Sequence, residues 1–289
     1  MKNADIADPI FREAVEAIDA GNTARLQQLL NSKPALVEER LPQPTKGYFA
    51  RPYLLWFVAD NPIRHEKLPA NIVAITRLLI ATAKQYAVDS FQSQIDYTLG
   101  LVATGRIPRE SGMQIELMDL LLDAGAQPGT GLGALAHGNM AAAEHLLTRG
   151  GNLTLPTAVG LGMEAAVKQL LPDADKAELG CALVVASFFG SADLIGVLIE
   201  SGADLNAYPI AGSGFHAHAT ALHQAVFSGS LEAVKTLVQA GADLTAKDKI
   251  YEGTPLEWAM HMQTETNHID TKKKYAAIEA FLRGSKPKD

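Results

Sequence analysis

Two histidines in the segment 207–219 are the residues whose spacing most directly suggests chemistry. His216 and His218 are separated by one residue, so their side chains share a face if the segment is extended. Two imidazoles on one face can bind a divalent metal ion or move a proton. A metal site needs a third ligand, and the candidates nearest in the repeat register are Asp204, His223 and Glu257.

Two ligands of the three or four required do not define a metal site. We therefore predict no bound metal; His216 and His218 would be the ligands if one were bound. We expect the two imidazoles to form hydrogen bonds that hold the loop, with contact to a ligand other than a metal as the alternative.

Aromatic and charged residues at the predicted starts of several helices form a second functional pattern. Tyr and Trp offer a large contact area with few rotamers to lose, and both are typical of binding hot spots. The alternative for each aromatic residue is core packing between helices. The candidate binding residues are Tyr208, His216, His218, Tyr251, Glu252, Trp258, Trp56 and Tyr97.

Other residue types that often mark catalytic sites lack the necessary context. Cys181 is the single cysteine and has apolar neighbours, which predicts a buried, inert thiol. The run 129–133 is rich in glycine but lacks the Lys-Ser/Thr ending of a phosphate-binding loop. Ser187, Ser213 and Ser228 lack the turn that exposes a serine nucleophile. The sequence therefore indicates no catalytic residue and no cofactor.

The elements that position these residues are predicted to be pairs of helices. Residues 220–243 read as a helix, a Ser-Gly-Ser turn, a second helix, and a Gly-Ala-Asp ending in which Gly241 takes a left-handed conformation. The residues predicted to be buried are Leu222, Ala225 and Val226 in the first helix, and Leu231, Val234, Leu237 and Val238 in the second. The unit restarts at Thr254, which lies 34 residues after Thr220.

This unit resembles the ankyrin repeat. Residues 220–223, Thr-Ala-Leu-His, stand where the family has Thr-Pro-Leu-His, and residues 254–257 keep the proline but have Glu for His. A period near 33 residues is a specific signal. The resemblance, to ankyrin proteins of the stand-alone bacterial kind, implies an all-α solenoid of about eight helix pairs with one long inter-repeat loop at 207–219. It also implies that His223 hydrogen-bonds the backbone of a neighbouring repeat.

Weaker copies extend this interpretation along the chain. We predict helix pairs within 14–36, 53–83, 97–126, 134–150 and 155–171, and a final helix over 274–283 that buries Tyr275, Ile278, Phe281 and Leu282. The predicted organisation is a single elongated domain over 1–289, with weak repeats at 10–178 and clear repeats at 179–284.

Composition excludes several classes of function. The chain is 47% hydrophobic and 20% charged, which is too apolar for a disordered protein. Its net charge of -7 argues against a general electrostatic affinity for nucleic acid. The apolar run 181–199 contains a central Gly-Ser turn, so we expect two helices there and no membrane span. Residues 129–219 hold eight acidic and three basic residues, a band suited to a basic partner or a cation.

These observations predict a binding module that recognises a protein or peptide through its concave face and projecting loops. We expect a cytoplasmic monomer that is not an enzyme, has no cofactor, and binds neither nucleic acid nor membrane. The alternative is an enzyme or a small-ligand or metal-binding protein with its site at the His-x-His loop. Imidazoles of His216 and His218 that point into a closed pocket near a carboxylate would favour this alternative.

Overall fold

The computed structural model describes residues 3–41, 51–61, 63–209 and 214–285 of the chain. In these ranges the backbone forms helices joined by turns and contains no strand, which confirms the predicted all-α class. Ser213 lies outside the described residues. The chain divides into two compact units, Met1–Asn152 and Leu153–Asp289. The single elongated domain over 1–289 stays a prediction.

The first unit contains helices at four of the predicted weak positions, 14–36, 53–83, 97–126 and 134–150, and the fifth, 155–171, is helical in the second unit. A 3₁₀ helix at Leu54–Ala59 packs against α1, α3 and α4, and α4 also contacts α6 and α7. The α-helices are α1 Pro9–Asp19, α2 Thr23–Ser32, α3 Ile72–Tyr86, α4 Phe91–Thr104, α5 Arg106–Glu110, α6 Gln114–Asp123, α7 Leu132–Ala136 and α8 Met140–Thr148.

The second unit arranges its helices in two rows. Its helices are α9 Leu155–Gly160, α10 Glu164–Leu170, α11 Lys176–Phe188, α12 Ala192–Glu200, α13 Ala221–Ser228, α14 Leu231–Ala240, α15 Pro255–Glu265 and α16 Ile269–Gly284. In one row α9 packs on α11, α11 on α13 and α13 on α15, while α12, α14 and α16 pack in the same order in the other. Each helix pair buries its apolar stripe against the next pair, so the core is continuous along the rows.

The buried residues of the second unit follow the predicted helical spacing. Leu222, Ala225 and Val226 of α13 are buried, as are Val234 and Leu237 of α14. Tyr275, Ile278 and Leu282 of α16 are buried as predicted. Leu231, Val238 and Phe281 are half-buried because they lie at the edges of their apolar stripes. The apolar run 181–199 forms parts of α11 and α12 with a turn between them, as predicted. None of the described helices has both the length and the apolar character needed to cross a membrane.

Left-handed glycines end several of these helices. Gly241 follows α14 with φ 103° and Gly202 follows α12 with φ 88°, which confirms the prediction for Gly241. A Cβ on Gly202 would meet no atom within 4 Å, so its only requirement is the backbone conformation. Gly196, inside α12, likewise has no atom within 4 Å of a Cβ, but its φ is helical.

The first prediction compares an alanine substitution inside α12 with one just after its end. Gly202→Ala should lower the free energy of unfolding by about 1–2 kcal/mol, because a Cβ disfavours the left-handed region. Gly196→Ala should raise it by up to about 1 kcal/mol, because alanine is the better helix former. Chemical denaturation of the full chain followed by circular dichroism measures both changes. Equal changes in the two variants would contradict this account of the helix end.

Candidate binding pocket

A pocket with a volume of about 530 Å³ lies in the second unit. Two loops and two helices form its walls: the histidine loop (residues 214–220), the end of α13, the aspartate turn (residues 248–253) and residues 257–262 of α15. Its lining residues are His216, His218, Phe227, Tyr251, Gly253, Glu257, Trp258, His261 and Met262. The first helices of two successive pairs and the loops preceding them therefore converge on one site.

Helix α15 presents Trp258, His261 and Met262 to the pocket because residues at i, i+3 and i+4 share one helix face. Its start is fixed by a capping box: Glu257 Oε2 accepts hydrogen bonds from Thr254 N at 2.7 Å and Thr254 Oγ1 at 2.9 Å. The hydrogen bond from the Thr254 backbone, followed by that from its hydroxyl, lowers the pKa of Glu257. Glu257 is therefore a carboxylate at the pocket wall at neutral pH.

Asp248 builds the aspartate turn. Its side chain is buried, with Oδ1 accepting from the backbone N–H groups of Ile250 and Tyr251 at 2.9 and 2.7 Å. Oδ2 accepts from Gly253 N and from Trp258 Nε1, both at 3.0 Å. Burial alone would raise the pKa of Asp248, but these hydrogen bonds outweigh it and lower the pKa to about 2. The carboxylate therefore stays charged and fixes both the turn and the Trp258 ring.

The conformation of the histidine loop differs from the extended segment considered above. His216 has φ 24°, and Ala219 N donates to His216 O at 2.8 Å, so the chain turns between the two histidines. The segment is therefore not extended, which was the condition for the two side chains to share one face of a strand. The rings nevertheless lie together, with centroids 5.8 Å apart, because the turn directs both into the pocket.

The hydrogen bonds of His216 define the donor and acceptor of its ring. Gln224 Nε2 donates to the carbonyls of Phe215 and His216, so Gln224 Oε1 is the atom left to accept from His216 Nδ1 at 3.1 Å. His216 Nε2 then carries the lone pair. Burial lowers the pKa of His216, which the Gln224 bond partly offsets. The pocket thus contains a neutral imidazole with an acceptor nitrogen.

His218 lies between the histidine loop and the aspartate turn. Its Nε2 is 4.0 Å from Asp248 Oδ1, and its ring centroid is 5.9 Å from that of Trp258. Asp248 already accepts four N–H groups, so it is not free to serve as a metal ligand or a base. In the ranges that the structure describes, no group of three His, Cys, Asp or Glu side chains is placed to hold a metal ion.

His223 has the structural role that the resemblance implied. Its Nδ1 accepts from Thr220 N at 3.3 Å and lies 2.8 Å from Thr220 Oγ1, while Nε2 donates to Gly253 O at 3.0 Å. It therefore joins α13 to the turn before α15. Burial is the main cause that lowers the pKa of His223. Both ring nitrogens are occupied, which excludes His223 as the third metal ligand.

The remaining candidate residues lie outside the pocket lining. Tyr208 donates to Lys247 O at 2.7 Å, and Lys249 Nζ lies 3.8 Å from the centre of its ring. Glu252 is exposed in the aspartate turn. In the first unit, Trp56 and Tyr97 stack with ring centroids 4.1 Å apart. Half of the candidate set, His216, His218, Tyr251 and Trp258, thus lines the pocket.

Sequence reasoning missed Asp248, Phe227, His261 and Met262 as residues of the site. Asp248 carries a readable signal, because an Asp a few residues before a Gly commonly accepts the N–H groups of its own turn. The other three carry no signal of their own. The predicted burial of Cys181 is confirmed, since it is 6% exposed and burial, with a smaller contribution from Glu178, raises its pKa to about 11.

Comparison with known proteins identifies the repeats. Residues 110–248 match a family model described as ankyrin repeats, in three copies. A search of curated proteins gave no significant match. The matched segment includes His216, His218, Phe227 and Asp248, whereas the pocket residues from Tyr251 onward follow it.

The second prediction concerns acid stability. The pKa values of His216 and His223 are lowered in the folded chain. The contribution of these two residues to the free energy of unfolding is therefore complete above the ordinary histidine pKa of about 6.5 and is lost as pH falls below that value. The free energy of unfolding should therefore decrease between about pH 7 and pH 5. Protonated His223 would turn an N–H toward Thr220 N, a donor facing a donor.

His223→Gln tests this contribution, because glutamine can accept from the helix start but does not titrate. At pH 7 the free energy of unfolding of the variant should be about 1–2 kcal/mol lower, because the hydrogen bond to Gly253 O is lost. The further decrease on acidification should be smaller in the variant than in the original chain. Chemical denaturation at both pH values measures the difference. The same acid-induced loss in both proteins would contradict the assignment.

Proposed function

We propose, from the premise that the chain is an ankyrin repeat protein, that it is a protein-binding module whose pocket at Trp258 receives a side chain of a partner protein. Ankyrin repeats are generally protein–protein interaction modules. The convergence of two helix pairs and their loops on one aromatic-walled pocket is the observation that carries the proposal. Such pockets are the usual centres of binding energy in interfaces.

The edge of the pocket supports a macromolecular partner. Tyr251 is 77% exposed and its neighbour Ile250 is 61% exposed, both at the tip of the aspartate turn. Two adjacent large apolar side chains at a loop tip lose contact with water when a partner covers them. A molecule confined to the pocket would leave much of this surface exposed, so a protein surface fits the site better.

The rigidity of the walls also supports binding. Asp248 holds the backbone N–H groups of its turn and the indole of Trp258, and Gln224 holds His216. Side chains fixed before binding lose little conformational entropy on complex formation. We further propose that the protein acts as a cytoplasmic monomer with a protein or peptide partner and no nucleic acid; its net charge of -7 supports the last point.

A small-ligand site is the second candidate function. The imidazoles of His216 and His218 line the pocket, and His218 Nε2 lies 4.0 Å from the Asp248 carboxylate. This is the arrangement that favours the alternative to a protein-binding module. Because hydrogen bonds occupy Asp248, we restrict the second candidate to ligand contact by the imidazoles, without proton transfer to Asp248.

The third prediction tests protein binding with Tyr251→Ala. Peptides selected from a displayed random library on the purified full-length protein should bind this variant at least about tenfold more weakly, because the exposed ring is a contact and not a core residue. Tyr86→Ala is the matched control, since Tyr86 is 45% exposed in the first unit, and it should bind like the original chain. Calorimetric titration measures the affinities.

Thermal melting of the variants separates binding from folding. Neither substitution should lower the melting temperature appreciably, because both rings are exposed. If selected peptides bound both variants as they bind the original chain, the pocket would not be the recognition site. If no library peptide bound while small molecules shifted the pocket resonances in nuclear magnetic resonance spectra, the second candidate would replace the first.

A further inference from the structure

We infer that the pocket recognises an arginine side chain of the partner protein. This inference rests on the proposed function and specifies the group that enters the pocket. A guanidinium group is planar and cationic, and it carries N–H donors but no acceptor. The pocket offers complementary features: aromatic rings, two free acceptor atoms, the carboxylate of Glu257 in its wall, and the buried carboxylate of Asp248 beside Trp258 and His218.

The walls suit a planar cation. Trp258 lies with its ring centroid 5.8 Å from that of His216 and 5.9 Å from that of His218, and Phe227 is 4.6 Å from His216. Tyr251 adds a ring at the edge, 5.9 Å from His218. The faces of Trp, Tyr and Phe attract cations, and arginine stacks on them more often than lysine does.

Two polar atoms of the pocket wall, one on His216 and one on Glu257, are free acceptors. His216 Nε2 carries a lone pair because Nδ1 donates to Gln224 Oε1, and among the described residues no donor reaches that nitrogen. Glu257 uses Oε2 for its capping box, and no described residue donates to its Oε1. The indole N–H of Trp258, which would repel another donor, is turned toward Asp248. A guanidinium has five N–H donors, which is enough to supply both acceptors.

The local charges favour a cation. Asp248 and Glu257 are ionised, since hydrogen bonds lower both pKa values, and burial keeps His216 neutral at pH 7. The lysines of this region do not line the pocket: Lys249 lies over the Tyr208 ring, and Lys247 interacts electrostatically with Glu257. A carboxylate or phosphate would be repelled by the charge of Glu257 at the wall and by that of Asp248 beside it.

Other side chains fit this chemistry less well. An apolar aromatic side chain would cover His216 Nε2 and leave this acceptor without a donor, which costs free energy. A lysine ammonium is a compact point charge that cannot stack on Trp258. Citrulline has the planar shape of arginine without its charge, so it isolates the electrostatic contribution.

The fourth prediction uses the two indole N–H signals of the chain in nuclear magnetic resonance spectra. Titration of the full-length protein with Nα-acetyl-arginine amide should shift the Trp258 signal and leave that of Trp56, in the first unit, in place. Nα-acetyl-citrulline amide should bind about tenfold more weakly, since charged hydrogen bonds are roughly twice as strong as neutral ones. Equal affinity for the two probes, or an unmoved Trp258 signal, would overturn the inference.

Two variants locate the effect at Glu257. Glu257→Gln keeps a residue that can complete the capping box but removes the charge, so affinity for the arginine probe should fall about fivefold to tenfold. Glu252→Gln removes a charge from the neighbouring turn at a residue that does not line the pocket, and it should change affinity less than twofold. Equal losses in both variants would contradict a direct contact with Glu257.

The outcomes also separate this inference from the proposed function. Library peptides that depend on Tyr251 but keep their affinity when each arginine is replaced by citrulline would overturn the arginine inference alone. Free L-arginine that bound more tightly than a peptide with an internal arginine would show a small-ligand site and overturn the assignment to a protein side chain.

Discussion

The charge of Asp248, held among four N–H donors, is the interaction on which the pocket depends. Burying a carboxylate without hydrogen bonds would cost several kcal/mol. In Asp248 the N–H groups of three backbone positions and of the Trp258 indole offset this cost by donating to the carboxylate. The four hydrogen bonds that stabilise this charge also close the turn, place Tyr251 at its exposed tip and orient the Trp258 ring. The same hydrogen bonds therefore stabilise the buried charge and determine the shape of the pocket.

A series of hydrogen bonds connects the aspartate turn to the core of the preceding repeat. Gly253 O accepts from Asp248 N at 2.9 Å and from His223 Nε2 at 3.0 Å, and His223 in turn contacts Thr220 at the start of α13. This chain of bonds links the starts of α13 and α15. The pocket between their loops is consequently held by buried groups, and most of its lining residues need only supply contact surface.

The helices could be predicted from the sequence because their apolar residues recur at i, i+3 and i+4. Helix α13 buries the three residues that this spacing predicts to be buried. Only part of the site could be predicted from the sequence. Residue type alone drew attention to His216, His218, Tyr251 and Trp258, whereas the turn between the histidines depends on backbone torsions that no spacing encodes. Likewise, Trp56 and Tyr97 were assigned to a binding surface, but they stack on each other across 41 residues of sequence.

Residues that do not line the pocket decide its chemistry. A His-x-His pair is compatible with metal ligation, proton transfer or hydrogen bonding, and the residue types cannot distinguish these roles. Gln224, fixed by two carbonyls, makes His216 Nδ1 the donor and leaves Nε2 as an acceptor. Asp248 takes the Trp258 N–H out of the pocket and leaves the indole ring as a wall. The preference for a donor-rich cation thus follows from two buried side chains, and a change at either would alter what the pocket accepts without changing its lining.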